Sequence, residues 1–389
     1  MRTDVLVIGA GPAGAAAARA LARAGVAVRM VERGAIGRPR LCGEFVSPEA
    51  GVDLAALGLA IGDAGGVAIG AAGVTAGGAS TETMLAPPGH AVGRDVLDAW
   101  MAKAAVESGA TLHAATSVAA LQGDAADGFR AELEGDVRGT LQARLVIGAF
   151  GRRAPGWLGI APVSPRRAAI ALKAHLRVGP EALPSRVALH AFPGGYIGSV
   201  PIAADRINLC LVAERRAAGA LAPGGARAAL AAFVAHVPEL GALWERAELA
   251  PASVCAASGL RFGHVHPTHG DILLAGDAAG QPHPASGDGI AMALRSGRLA
   301  AACACAVLER RLAPDRLARF YTQAWRREFA ARLRWARLVH AAIVRPRFLG
   351  PALVGLAREP HVVQALLART RGAPHDVASP LALHPREFR

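Results

Sequence analysis

Residues 4–14 read DVLVIGAGPAG, an apolar run that breaks into three glycines spaced Gly9-x-Gly11-x-x-Gly14. The spacing alone fits either a tight strand-to-helix turn or the cradle of a dinucleotide, so the flanking residues decide. Asp4–Ile8 reads as a buried parallel strand. Pro12–Ala24 is alanine-rich and helical, and Gly25 stands where a left-handed helix terminator is expected. Val26–Val31 reads as a second strand, and Glu32 follows about 20 residues beyond the glycines, the order a dinucleotide fold requires. Each glycine has its own task. Gly9 makes the turn, Gly11 lets backbone approach a pyrophosphate, and Gly14 lets helix and strand pack closely. Pro12 and Ala13 open the helix, whose free N–H groups and positive dipole end face the phosphates. Glu32, followed by Arg33, would accept hydrogen bonds from a ribose diol and repel a 2′-phosphate. Dinucleotide binding is the expectation.

The bulk numbers bound the rest. A chain of 389 residues is long enough for two lobes and a substantial core. Apolar residues make up 52% and aromatics only 4%, because alanine supplies much of the apolar total. No apolar run reaches spanning length, and the first residues already form a strand rather than a signal peptide. A cytoplasmic location is therefore expected. The net charge of +13 comes almost wholly from arginine, Lys103 and Lys173 being the only lysines. No nucleic-acid motif accompanies that charge, so no nucleic-acid partner is expected. The five cysteines are scattered without a CxxC pair, which argues against a disulfide framework and against a metal site.

Residues 271–290 read DILLAGDAAGQPHPASGDGI, an apolar strand ending in Gly276-Asp277, then a proline-bearing loop and a helix beginning near Gly289. With the N-terminal motif, this stretch resembles the FAD-dependent superfamily of aromatic hydroxylases (p-hydroxybenzoate hydroxylase-like) and geranylgeranyl reductases. The resemblance implies that Asp277 binds the ribityl chain of FAD. It also implies that Pro284, Gly287, Gly289 and Ile290 lie at the flavin, the helix dipole stabilising the negative charge that collects on reduction. VGRDVLDAWMAKAA carries Arg94 where the family has an FAD-contacting arginine, and Arg40 could reach the pyrophosphate or stand as a solvated charge. ARLVIGA resembles the late strand of the nucleotide domain; Phe150 follows where hydroxylases usually have an aspartate, while Gly151 and Arg152 remain.

Branch-specific details point in two directions. Gly280 follows GDAA where hydroxylases usually have histidine, and SGRLAA together with RPRLCGEF looks more like the geranylgeranyl reductase branch, which has CGG where this chain has Cys42-Gly43-Glu44. Cys42 would then lie near the flavin. GGYIGSVPI lacks both tryptophans of the halogenase WxWxIP signature, which argues against halogenation. Between about 166 and 250, strand-like runs parted by glycine and proline imply an antiparallel sheet that roofs the flavin. Alternation puts Lys173 and His175 on one face of its first strand, where they could orient a substrate oxygen. His283, beside Pro284, is a further catalytic candidate, and His190 a weaker one. After residue 315 the chain is helical and arginine-rich, expected to pack on the FAD domain or to meet an anionic membrane surface.

The expected architecture is an α/β fold: an FAD-binding Rossmann-like domain of the hydroxylase/glutathione reductase type, an inserted antiparallel-sheet substrate domain, and a C-terminal helical region. The FAD domain is assigned residues 1–40, 90–160 and 250–310, the substrate lobe 41–89 and 161–249, the C-terminal helices 311–372, and a loose tail 373–389. The expected cofactor is FAD, reduced by NADH or NADPH, acting on a bulky apolar or phenolic molecule of polyketide or isoprenoid type. The leading expectation is a monooxygenase. Saturation of C=C bonds, as in geranylgeranyl reductases, is the alternative, and a redox-inactive FAD-binding partner protein is the second.

Overall fold

A computed structural model of the chain describes residues 1–76, 79–159, 169–179, 183–214, 225–260, 262–263 and 265–344, with Gly355 and Arg369. In chain order its strands are β1 (Arg2–Ile8), β2 (Val28–Val31), β3 (Phe45–Val46), β4 (Val67–Ala76), β5 (Ala79–Ala91), β6 (Thr111–His113), β7 (Thr116–Asp124), β8 (Gly128–Gly135), β9 (Gly139–Gly148), β10 (Ala169–Arg177), β11 (Arg186–Phe192), β12 (Gly195–Ala203), β13 (Arg206–Glu214), β14 (Glu248–Leu260), β15 (Thr268–His269) and β16 (Ile272–Leu274). The helices are α1 (Pro12–Arg23), α2 (Pro48–Ala56), α3 (Arg94–Glu107), α4 (Gly225–Val234), α5 (Pro238–Arg246), α6 (Gly289–Leu308) and α7 (Leu317–Val344).

Two eight-stranded sheets carry these elements. The first runs β15-β16-β9-β1-β2-β6, with the β7–β8 hairpin paired to β9. β1 lies between two parallel neighbours, Val5 registering with Val28 on one side and Leu145 on the other. A strand enclosed in this way must be apolar on both faces, hence the unbroken run Val5–Ile8. α1 starts with proline at its first turn, where no N–H is lost to the helix. It is pressed between this sheet and α6, and a Cβ on Gly297 of α6 would overlap the Ala13 backbone. α6 is long and apolar enough to cross a bilayer, but 83% of its apolar window is buried inside the protein.

The second sheet runs β14-β10-β13-β12-β11-β4-β5-β3. One face buries Leu172, Ile197, Leu209 and Leu211 against α4 and α5. The other face carries Ala171, Lys173, Cys210 and Val212, by the alternation of strand side chains. β14 corrects one expected boundary. Residues 250–260, assigned above to the dinucleotide domain, pair antiparallel with β10 of the roof sheet. Pro251 hides this strand in the sequence; it is tolerated because β14 is an edge and the register slips between the pairs at Lys173 and His175.

α7 closes the molecule. It buries Tyr321, Trp325, Phe329 and Leu333 on one stripe, and the Tyr321 hydroxyl donates to the Leu274 carbonyl at 2.7 Å. Arg332 is buried with them, in an ion network through Glu328 to Arg295 of α6. The expected helices beyond Val344 and the tail 373–389 lie outside the described residues, apart from Gly355 and Arg369.

Candidate active site

The carboxyl ends of β1, β9 and β16 meet the amino ends of α1 and α6, and two cavities open there. The larger, about 640 Å³, is lined by Gly9, Gly11, Glu32, Arg33, Arg40, Arg94 and Asp277, among others. The smaller, about 240 Å³, is lined by Pro12, Ala13, Cys42, Pro284, Gly287, Gly289 and Ile290. Gly11, Arg94, Gly151, Arg152 and Asp277 border both, so the two form one elongated space.

Gly9 and Gly14 stand where a side chain would not fit, and Gly11 stands beside open space. Gly9 has φ +108°, and a side chain there would overlap the Ala149 carbonyl. A Cβ on Gly14 would overlap the Gly9 carbonyl, so helix and turn are in van der Waals contact. At Gly11 the nearest atom to such a Cβ is Arg94 Nη2 at 3.8 Å; the space above it belongs to the cavity. These residues leave room where a pyrophosphate could rest on backbone N–H groups. Glu32 is held by the Ala10 N–H at 3.1 Å and by Arg40 Nη2 at 3.1 Å.

Arg94 starts α3, and its guanidinium pairs with both carboxylate oxygens of Asp98, one turn on, at 2.7 and 2.9 Å. Burial opposes the charge on Arg94, but Asp98 and then Cys42 outweigh it and hold the guanidinium firmly protonated. Cys42 thus faces a fixed cation, and its Sγ also accepts the Glu44 N–H at 3.3 Å. Asp98 was not foreseen as part of the site; its position four residues after Arg94 is the signal that could have found it.

Glu44, which replaces the second glycine of the CGG motif, is the hub of a cluster that sequence reading missed. It is fully buried with a left-handed φ of 60°, a conformation that costs a non-glycine residue about 1 kcal/mol or more. Its carboxylate pairs with Lys173, accepts the Arg94 backbone N–H at 2.9 Å, and lies 2.7 Å from His175 Nε2. Burial pushes its pKa up, but His175 and Lys173 together hold it below the usual carboxylate range. Lys173 also donates to the Arg40 carbonyl at 3.1 Å.

Lys173 and His175 do share a face of β10, but they line neither of these two cavities; both turn to Glu44, because a buried carboxylate demands partners. His283 lies in the loop between β16 and α6. Pro282 and Pro284 on either side of it line the smaller cavity, while its ring turns to His340 of α7, with centroids 4.4 Å apart. His190 lies on the same roof sheet, 3.1 Å from Ser199 Oγ. Phe150 lines the larger cavity and occupies the room left by Gly148. Among the described residues no His/Cys/Asp/Glu group could hold a metal ion.

Nucleotide-type sheet, glycine cradle and roofed second cavity together define a flavin-dependent oxidoreductase, and the comparisons with known proteins agree. Residues 2–157 match the FAD binding domain model. The chain is 31% identical to digeranylgeranylglycerophospholipid reductase 1 of Methanopyrus kandleri, over 87% of this chain and 90% of that protein. It is 29% identical to menaquinone reductase of Mycolicibacterium smegmatis, over 77% and 76% of the two chains. Among solved structures, a geranylgeranyl bacteriochlorophyll reductase-like protein from Thermoplasma acidophilum superposes with a TM-score of 0.77 at 19% identity, covering 100% and 99% of the two chains. The flavin-dependent brominase Bmp2 does so at 0.80 and 20%, covering 100% and 97%, a likeness of fold alone. The chain belongs to the geranylgeranyl reductase family of FAD-dependent oxidoreductases.

Proposed function

We propose that this enzyme saturates C=C bonds of a bulky isoprenoid, using FAD reduced by NADH or NADPH. Saturation, the alternative in the sequence reading, is thereby preferred to oxygenation, since the relatives are named as reductases of prenyl lipids and quinones. One observation carries it: Cys42 lines the smaller cavity with its sulfur beside Arg94 and the Glu44 N–H.

Gly9, Gly11 and Gly14 with the first turn of α1 would hold the FAD pyrophosphate. Glu32, backed by Arg40 and followed by Arg33, would hold the adenosine ribose, and Asp277 and Arg94 the central chain. Pro284, Gly287, Gly289 and Ile290 would border the ring system. Reduced FAD held there would supply hydride chemistry at one alkene carbon. The Cys42 thiol gives its proton to the other carbon, and the S–H electron pair stays on sulfur. Arg94 and the Glu44 N–H stabilise the resulting thiolate until water reprotonates it. Ala171, Val212, Leu260 and Phe262 supply an apolar wall for a hydrocarbon chain. The exposed arginines Arg326, Arg334 and Arg337 on α7 support docking to an anionic membrane from which such a lipid would be drawn.

The test is anaerobic turnover of a polyprenyl lipid by FAD-loaded enzyme with a nicotinamide reductant, followed by product mass. A gain of two hydrogens without O2 supports the reading. A strict O2 requirement with a gain of one oxygen replaces it with oxygenation.

A further inference from the structure

Past the cavity wall at Ala171 and Val212, the roof sheet carries Tyr196, the registered neighbour of Val212. Tyr196 is 2% exposed, yet among the described residues its hydroxyl has no hydrogen-bond partner. Two imidazoles share that condition. The Nδ1 atoms of His283 and His340, whose rings pack tilted at 33°, are also buried without a partner among the described residues. Phe262, which lines the smaller cavity, completes the group at 5.3 Å from His283 and 5.9 Å from His340. Tyr196 meets His340 edge-on at 6.2 Å.

A buried polar atom without a partner costs about 1–3 kcal/mol. The three side chains that carry these atoms meet through the His340 ring, where the loop before α6, the roof sheet and α7 come together. A ligand oxygen would relieve that cost, the phenol donating and a neutral imidazole donating or accepting by its tautomer. The imidazoles are uncharged at neutral pH. Burial pushes both down to about 4, with His340 and Arg337 adding to the effect at His283. A neutral phenol and neutral imidazoles suit a neutral oxygen rather than a phosphate or carboxylate.

We propose that Tyr196, His283 and His340 form a subsite for a neutral hydrogen-bonding oxygen, a carbonyl or a hydroxyl, carried by the head of the prenyl substrate. This rests on the C=C reductase reading and deepens it: the preferred substrate is an oxygenated prenyl compound and not a bare hydrocarbon.

The experiment uses the FAD-loaded full chain and three tritiated ligands of equal prenyl length, with binding read by equilibrium dialysis. One is a prenylated naphthoquinone, one a prenyl glyceryl ether with a free hydroxyl, and one the plain polyprene. Wild type should bind at least one oxygenated ligand roughly tenfold more tightly than the polyprene, the worth of one or two buried hydrogen bonds. The ligand that shows the ratio identifies the source of the oxygen. Tyr196→Phe should bring the ratio close to one while leaving polyprene affinity unchanged; if that variant fails to fold, His340→Phe takes its place. A wild-type ratio of one, or a variant that keeps the wild-type ratio, overturns the subsite. In those cases continued reduction of the polyprene leaves the C=C reading standing. A chain that binds no prenyl ligand overturns both.

Discussion

Around the larger cavity the backbone shapes the site: Gly9 and Gly14 are glycines because neighbouring carbonyls leave no room for a Cβ. Around the smaller one, side chains from distant segments do so, with Glu44 of the Cys42 loop held by Lys173 and His175 of the roof. The first kind of construction is local and tolerates no added atom. The second is long-range and tolerates no removed charge. The two regions should therefore fail differently when altered.

The largest effect is expected at the glycine end. Gly14→Val would drive a side chain into the Gly9 carbonyl and should abolish both folding and flavin binding, seen as insoluble or colourless protein with no cooperative melt. Gly11→Leu is the sharper probe, because its side chain enters open cavity. That variant should fold normally yet hold no FAD. A Gly11→Leu protein that stays yellow with wild-type flavin content would break the assignment of this end to the pyrophosphate.

At the roof end, Glu44→Gln leaves Lys173 fully buried without its counter-charge, which should cost about 3–5 kcal/mol in denaturant unfolding. Glu44→Gly with Lys173→Met removes both charges and the left-handed strain, and should recover most of the loss. The same cluster sets a pH dependence. Glu44 has a depressed folded pKa, so its contribution is present above the unfolded carboxylate value near 4.5 and is lost as pH falls below that through the folded value. A wild type and a double variant with identical acid-unfolding curves would show that the cluster is not a stability device.

These two ends also differ in how far the sequence discloses them. The strand–Gly9–α1–strand–Glu32 unit is written in contiguous residues, so its periodicity and turn chemistry were legible, as were Asp277 and the Gly287–Ile290 loop. The Glu44 cluster joins residues 129 and 131 positions apart, and nothing local to Lys173 or His175 names their partner. What the sequence did disclose was an anomaly, a glutamate in place of glycine. Its explanation needed the fold to bring β10 over the Cys42 loop. The surroundings of His283 were hidden for a similar reason: its neighbours in sequence line the smaller cavity, while its ring packs against His340 of α7. β14 escaped because a proline in an edge strand reads as a break.

Cys42 sits where the two regions touch. Cys42→Ala should lower alkene reduction by roughly 10²–10⁴-fold, the usual worth of a positioned general acid, while flavin reduction by NAD(P)H stays near wild type in stopped-flow absorbance. Cys42→Ser, a weaker acid of similar size, should recover only part of the rate. Full activity in Cys42→Ala would move the proton source to another group of the smaller cavity.

The smallest effect is expected from Glu32, the one place where the glycine end also depends on charge. Its carboxylate faces the larger cavity, so Glu32→Ala should weaken FAD by about 1–3 kcal/mol through loss of charge-assisted hydrogen bonds to the ribose. The variant also releases Arg40 at 3.1 Å and Arg38 at 3.6 Å from that carboxylate. Two freed guanidiniums beside a pyrophosphate offset part of the loss, and more so at low salt, where their field reaches further. Glu32→Gln keeps the hydrogen-bonding shape but not the charge, and should therefore fall between wild type and Glu32→Ala. Flavin fluorescence titration at low and at high salt separates the two contributions. The gap between wild type and Glu32→Ala should widen as salt rises, because screening removes the arginine compensation while the buried ribose contact persists. A gap that closes with salt would mean that Glu32 acts only by neutralising its arginines, and the ribose contact would then have to lie elsewhere along the cavity.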